Sequence, residues 1–219
     1  MSAHGQPSVS NFSATRSKLG SRVFQVRDTN HTIDIYDMQT ITIVTGNAGK
    51  VRELKGMTMG KLDFVMHDLD IDEIQSLDLE KIVKNKAHQA YQQIKSPVIV
   101  DDVSAGLSSL NGLPGPFIKF FNKEIGSDSL YKLSKSENEE VTISCIAAYY
   151  DGKDFILGNG TIKGKVVSPR GENGFGFDSV VIPDGQNRTM AEMSEEEKMQ
   201  VSHRGNAFRS LLKQLKTLK

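Results

Sequence analysis

The chain is predicted to fold as an α/β protein around a mixed β-sheet, and three observations predict it. Short β-branched runs alternate with helical periodicity through the first half. Two long strand-like segments, Val141 to Tyr150 and Phe155 to Val167, flank an Asp151-Gly152 turn and read as an antiparallel pair. A single amphipathic helix closes the chain. Alternating strands and helices favour parallel pairing and a hairpin favours antiparallel pairing, so one sheet must hold both.

Taken in order, Ile41 to Thr45 is a β-branched run read as the first strand. Gly46, Asn47 and Gly49 follow, and Lys50 to Lys55 read as a helix start. Asp63 to His67 reads as the second strand. Leu79, Ile82, Val83, Ala87, Ala90, Tyr91 and Ile94 recur at helical spacing, which predicts a helix over 79–94. Pro97 to Asp101 reads as a strand of the apolar kind found inside a covered sheet. The turn-rich stretch Asn111 to Pro116 leads into a helix over 117–125, and the final helix carries Ala207, Phe208, Leu211, Leu212, Leu215 and Leu218.

Composition narrows the function classes. Lysines plus arginines equal aspartates plus glutamates at 27 each, so no global field favours a nucleic-acid partner, and any phosphate binding has to be local. No apolar stretch approaches the ~18 residues of a spanning helix, so no membrane association is expected. The single cysteine, Cys145, cannot form an intramolecular disulfide, which suits a reducing compartment and points to the cytoplasm. Residues 1–27 contain no acidic side chain and intersperse serines with Arg16, Lys18, Arg22 and Arg27. Residues 1–40 therefore read either as a disordered leader or extension or as a transit peptide addressed to an organelle, with one compact domain over 41–219.

Several segments could carry chemistry. Thr45-Gly46-Asn47-Ala48-Gly49-Lys50 is a glycine-rich turn between strand and helix, either a phosphate loop or an ordinary tight turn; its spacing and Val51 exclude a Walker A loop. Asp70, Asp72 and Glu73 follow the second strand, and Asp101 with Asp102 close the third. Paired carboxylates at strand ends suit magnesium, whereas Glu73 at the sixth position and Leu79 at the twelfth exclude a calcium loop from Asp68. Lys86 falls in the apolar arc of its helix, where an ammonium either snorkels outward or has an anion beside it. Phe175, between Gly174 and Gly176, is either a stacking platform for a base or a loop anchor. Ser202 is a plausible N-cap that gathers His203 and Arg204 at a helix start.

In order and spacing, Ile43 to Ala48, Gly112 to Lys119, Pro169-Arg170-Gly171, Phe175 to Asp178, Ala191-Glu192-Met193 and Val201 to Arg204 resemble the inosine triphosphate pyrophosphatase family, over essentially all of residues 41–215. The resemblance implies an elongated mixed sheet with flanking helices, forming two lobes around a central nucleotide cleft. It also implies a homodimer and a nucleoside triphosphate cut between its α and β phosphates, with deaminated purines preferred. It implies Thr45, Gly46, Asn47 and Lys50 as triphosphate-loop residues and Glu73 and Asp102 as magnesium ligands, with manganese able to substitute. Lys86, Lys119 and Lys198 become phosphate cations, and Asp102 or Asp101 orients the attacking water. Phe175, Gly176, Phe177 and Asp178 form the base pocket, in which Ser202, His203 and Arg204 read the 6-keto oxygen.

The sequence departs from that family at three places. Val103 stands where a serine or threonine usually follows the acidic pair, beside the substrate, and Phe177 replaces a frequent tryptophan. The leader is unusual too; related domains occur embedded in polyproteins of a few plant RNA viruses, so residues 1–40 could be a junction remnant. A related pyrophosphatase of the septum-inhibitor type, preferring modified pyrimidine nucleotides, is the alternative enzyme, and a silent nucleotide-binding module the alternative from another class.

Overall fold

The computed structural model describes residues 40–46, 50–52, 54, 57 and 63–217. The expectations for residues 1–39, for Asn47, Ala48 and Gly49, for Glu53 and Lys55 and for Leu218 fall outside that set. Among the described residues seven strands form one sheet: β1 (Thr40–Val44), β2 (Asp63–His67), β3 (Val98–Leu107), β4 (Pro114–Gly115), β5 (Glu139–Tyr150), β6 (Phe155–Val166) and β7 (Val181–Pro183). Their order is β2-β1-β3-β5-β6-β7, with β4 added to β3. β1 is parallel to both β2 and β3, and the remaining pairs are antiparallel, so the sheet is mixed as expected. Lys50, Val51, Arg52, Leu54 and Met57 are helical, and the helices described over their full length are α1 (Leu79–Ile94), α2 (Ile118–Ile125), α3 (Ser129–Leu133), α4 (Glu195–Val201) and α5 (His203–Thr217).

The sheet is covered on both faces at one end. Asp78 caps α1 by accepting from the backbone N–H groups of Glu80 and Lys81. The helix then buries Val83, Ala87 and Ala90 against Val44, Val98, Val100 and Ala148. On the opposite face α5 packs Ala207, Phe208 and Leu211 over Ile41, Ile43, Ile99 and Cys145. Odd and even strand positions feed different cores because successive side chains alternate across a strand. Further along the face covered by α5, Ala105, Leu107, Val141 and Ile143 meet Ile118, Leu130 and Val180 in a third core. Val103 packs against the first core and this one, and so sits at their junction.

α5 can lie this close because β6 carries glycines beneath it. A Cβ on Gly158 would lie 2.2 Å from the Ala207 carbonyl oxygen, and one on Gly160 would lie 2.1 Å from that of His203. Any side chain at either position would lift the helix off the sheet.

The sequence reading needs correction at β3. That strand does not close at Asp101 but continues to Leu107, paired with β5 from Val98↔Tyr150 to Leu107↔Val141. Asp101 and Asp102 therefore lie mid-strand and face opposite sides. Ala105 and Gly106 have little strand propensity of their own; the twelve-residue β5 supplies the hydrogen bonds that hold them extended. The short β7, α3 and α4 lacked a periodic signal long enough to read. Among the described residues no helix is long and apolar enough to cross a membrane.

Candidate active site

The cleft arises from a gap in strand pairing. β1 stays beside β3 only as far as Ile43↔Ile99, and β4 joins the same strand at Ala105↔Gly115. Between those points the described residues place no strand along that edge. A cavity of about 520 Å³ opens there, within the range of ~300–1,000 Å³ typical of small-molecule sites. Thr45, Gly46, Lys50, Glu73, Asp102 and Lys119 line one part of it, and Phe175 to Asp178 with His203 and Arg204 line another.

Lys86 organises the acidic part. Its Nζ donates to Glu73 Oε1 at 3.1 Å and to the Asp101 carbonyl oxygen at 3.4 Å, and it lies 3.6 Å from Asp102 Oδ2. Lys119 Nζ donates to the same Glu73 oxygen at 3.2 Å. Lys86 thus has anions beside it, which accounts for an ammonium in an apolar arc. Burial alone would lower its pKa, yet Asp102, Glu73 and Asp101 outweigh that and raise it. Burial would raise the Glu73 carboxyl, but Lys86 and Lys119 bring it below its ordinary value.

Asp102 behaves differently. Burial raises its carboxyl, Lys86 opposes the rise and the neighbouring charge of Glu73 adds to it. Its Oδ1 accepts from Val103 N–H at 2.8 Å, whereas Oδ2 is buried without a hydrogen-bond partner. Two carboxylates sharing one ammonium, one of them with an unbonded buried oxygen, fit a hard divalent cation that completes its shell with water and phosphate oxygens. Among the described residues no three His, Cys, Asp or Glu side chains converge as a closed metal cage.

Asp101 is fully engaged. Lys50 Nζ donates to Oδ1 at 2.9 Å and to Oδ2 at 3.1 Å, and Arg204 Nε donates to Oδ2 at 3.0 Å. Burial pushes this carboxyl up, but Lys50 and Arg204 hold it well below the usual carboxylate range. Lys50 comes from the helical residues after the glycine turn, and Arg204 from the first turn of α5, seated by Gly158 and Gly160. One carboxylate therefore ties two distant segments together. At the turn itself, a Cβ on Gly46 would lie 2.8 Å from Asp68 Oδ2, so a side chain there would collide with that carboxylate.

The aromatic part is built on Phe175, 37% exposed. Lys198 Nζ lies 4.7 Å and Arg204 Cζ 5.1 Å from its ring centroid. Asp178 Oδ2 accepts from Phe175 N–H at 2.9 Å and from Lys198 Nζ at 3.2 Å, which fixes the loop. Gly174, at φ +81°, leaves room for that carboxylate, which occupies the space a Cβ would need. Lys198 therefore supports Asp178 and Phe175. Phe177 is buried in the third core with its ring 5.8 Å from that of His203. Ser202 Oγ accepts from Gly205 N–H at 3.1 Å, the N-cap expected of it. His203 is buried, and its Nδ1 has no hydrogen-bond partner. Burial first, then Arg204 and Lys198, hold its pKa well below the ordinary imidazole value, so the ring is neutral.

Residues 41–214 match the model of the Ham1 family. The chain belongs to the Ham1 family. Among its Ham1-like relatives, the inosine triphosphate pyrophosphatase of Schizosaccharomyces pombe is 38% identical over 170 residues, spanning 76% of this chain and 90% of that one. Inosine triphosphate pyrophosphatase 2 of Trypanosoma cruzi is 42% identical over 175 residues, spanning 78% and 89%. The Ham1 protein of Staphylococcus aureus superposes with a TM-score of 0.70 at 26% identity, covering 83% of this chain and all of that one. A nucleoside-triphosphatase / dITP/XTP pyrophosphatase from Mycobacterium abscessus superposes with a TM-score of 0.61 at 26% identity, covering 80% and 99%. The mixed sheet with flanking helices is thus the Ham1 fold.

The sequence reading missed Asn122 and Asp68, both of which line the cleft. Asn122 lies three residues after Lys119, one helical turn along the same face, and that spacing was the available signal.

Proposed function

We propose that the chain is a magnesium-dependent nucleoside triphosphate pyrophosphatase that hydrolyses ITP, dITP and XTP to the monophosphate and pyrophosphate. One observation carries this reading: a single cleft joins a carboxylate pair flanked by ammonium groups to the exposed aromatic ring of Phe175, which has Arg204 and Lys198 beside it, and the buried His203 lines the same cleft. A triphosphate suits the first part and a purine the second.

Glu73 and Asp102 would hold the ion, magnesium or manganese in its place, which when bound neutralises charge developing on the phosphate oxygens. Lys50, Lys86 and Lys119 offer cationic donors to the triphosphate, beside the Thr45-Gly46 turn. Because both Asp101 oxygens are taken by Lys50 and Arg204, Asp101 is a positioning residue, and Asp102 with its unbonded Oδ2 orients the attacking water. Phe175 stacks the base, with Gly176, Phe177 and Asp178 shaping the pocket around it. Neutral His203 and charged Arg204 present donors to a 6-keto oxygen, while Ser202 and Lys198 hold the segments that carry them. A 6-amino group would leave such a donor unpaired, at a cost of about 1–3 kcal/mol, or roughly tenfold to a hundredfold per lost bond.

The test is pyrophosphate release from ITP, dITP, XTP, GTP, ATP, dUTP and dTTP with magnesium, with and without EDTA. Deaminated purines should lead in kcat/KM, and chelation should abolish turnover until magnesium is restored. Tight binding of ITP with no pyrophosphate released would instead identify a silent binding module. The working form on this reading is a cytoplasmic homodimer, which light scattering after size exclusion tests for assembly. The sheet begins with β1 at Thr40, so removal of residues 1–39 should leave kcat/KM for ITP within about twofold.

A further inference from the structure

We infer that Asn122 supplies the hydrogen bond that recognises the sugar of the nucleotide, and this rests on the pyrophosphatase reading above. Three observations place it. Asn122 is half-buried on α2 and lines the cleft. Its Oδ1 accepts from the hydroxyl of Ser129 at 2.6 Å, and Ser129 is wholly buried, so the amide is held in one orientation. Its Nδ2 consequently points the other way, lying 3.3 Å from where a Cβ on Gly176 would stand.

The position along the cleft decides what that donor meets. Lys119, three residues earlier on α2, reaches Glu73 at the phosphate part of the site. Three residues of helix advance the chain by about 4.5 Å, and side chains at that spacing share a face. Asn122 therefore presents its amide between the Lys119–Glu73 pair and the Phe175-Gly176 loop. The part of a nucleoside triphosphate lying between its phosphates and its base is the sugar, whose hydroxyl oxygens accept hydrogen bonds. Gly176 helps by being small, since a Cβ there would press against the amide. No acceptor within the described protein takes the Nδ2 protons, so a sugar hydroxyl would find the donor unspent.

A neutral hydrogen bond of this kind is worth about threefold to tenfold in KM, with kcat little changed, because it forms before and persists through the chemical step. The experiment measures kcat and KM of the wild type, Asn122→Leu and Asn122→Asp on ITP, dITP and 2′,3′-dideoxy-ITP, with a thermal melt of each variant. Asn122→Leu should raise KM for ITP by that factor and leave the dideoxy substrate unaffected; dITP apportions the effect between the two hydroxyls. Asn122→Asp keeps the acceptor for Ser129 and loses the donor, so even if its charge weakens all three substrates, ITP should lose more than the dideoxy analogue. Equal losses on ITP and dideoxy-ITP in both variants would overturn the assignment and leave Asn122 as a support of the Gly176 loop. A wild type that cleaves none of the three would overturn the pyrophosphatase reading itself, and this inference with it.

Discussion

Asp101 and Asp102 are neighbours in sequence, yet the two carboxylates do opposite things because a strand sends them to opposite faces. The Asp101 side chain is 3% exposed and clamps Lys50 and Arg204, so the two parts of the cleft share one anchor. Asp101→Asn keeps the shape but removes the carboxylate charge that Lys50 and Arg204 share, which should cost about 3–5 kcal/mol of stability. Displacement of both cations should also lower kcat/KM for ITP by at least about 100-fold. Denaturant unfolding and steady-state kinetics read the two losses, and an unchanged kcat/KM would show that the clamp does not position either cation. His203 carries a pH signature of its own. Its pKa in the folded protein lies well below the ordinary 6.5, so the unfolded chain binds a proton that the native state refuses. The stability tied to its neutrality is complete above pH 6.5 and falls as the pH drops from there toward the folded value. Melting temperatures between about pH 7 and 5 should fall with acid, and His203→Gln should flatten that slope.

At the scale of elements, the seat of α5 on β6 sets where His203 and Arg204 stand. Gly160→Ala inserts a methyl 2.1 Å from a backbone oxygen, and backbone cannot swing aside as a side-chain tip can. The helix has to shift, at a cost of about 3 kcal/mol. Because Arg204 begins that helix, activity on ITP should fall with it in a variant that remains folded by circular dichroism. Full activity in such a variant would mean that the seat of α5 does not control the site. α2 works similarly: one short helix delivers Lys119 to Glu73 and Asn122 to the Phe175 loop, so two site contacts depend on a single packing face anchored by Ile118.

Across the whole molecule, the cleft exists because β1 ends early and β3 continues, so that among the described residues no strand covers that edge of β3 between Ile99 and Ala105. Cys145 reports on the integrity of that arrangement. Burial first, then the nearby Asp101 charge, raises its thiol above the ordinary range, and no solvent reaches it. The native protein should leave an aromatic disulfide reagent unreacted, and one thiol per chain should appear on denaturation. Ready reaction of the native protein would mean that the core over β3 and β5 opens on the timescale of the assay.

The elements legible without coordinates were those whose pattern is local. The helix over 79–94 stands where its periodicity put it, because an apolar stripe declares its own period, and the strand over 63–67 stands where its short run was read. The segments of the site were legible too, through their order and their resemblance to a family. What no local pattern contained was the pairing of β3 beyond Asp102, since a strand of weak propensity is held by its neighbour's hydrogen bonds. Nor could local pattern assign Lys50 and Arg204, far apart in the chain, to Asp101 rather than Asp102. Charge and chemistry are properties of single residues, but which charge meets which is settled only when distant segments pack, because the Coulomb energy depends on distance and burial that the unfolded chain does not possess.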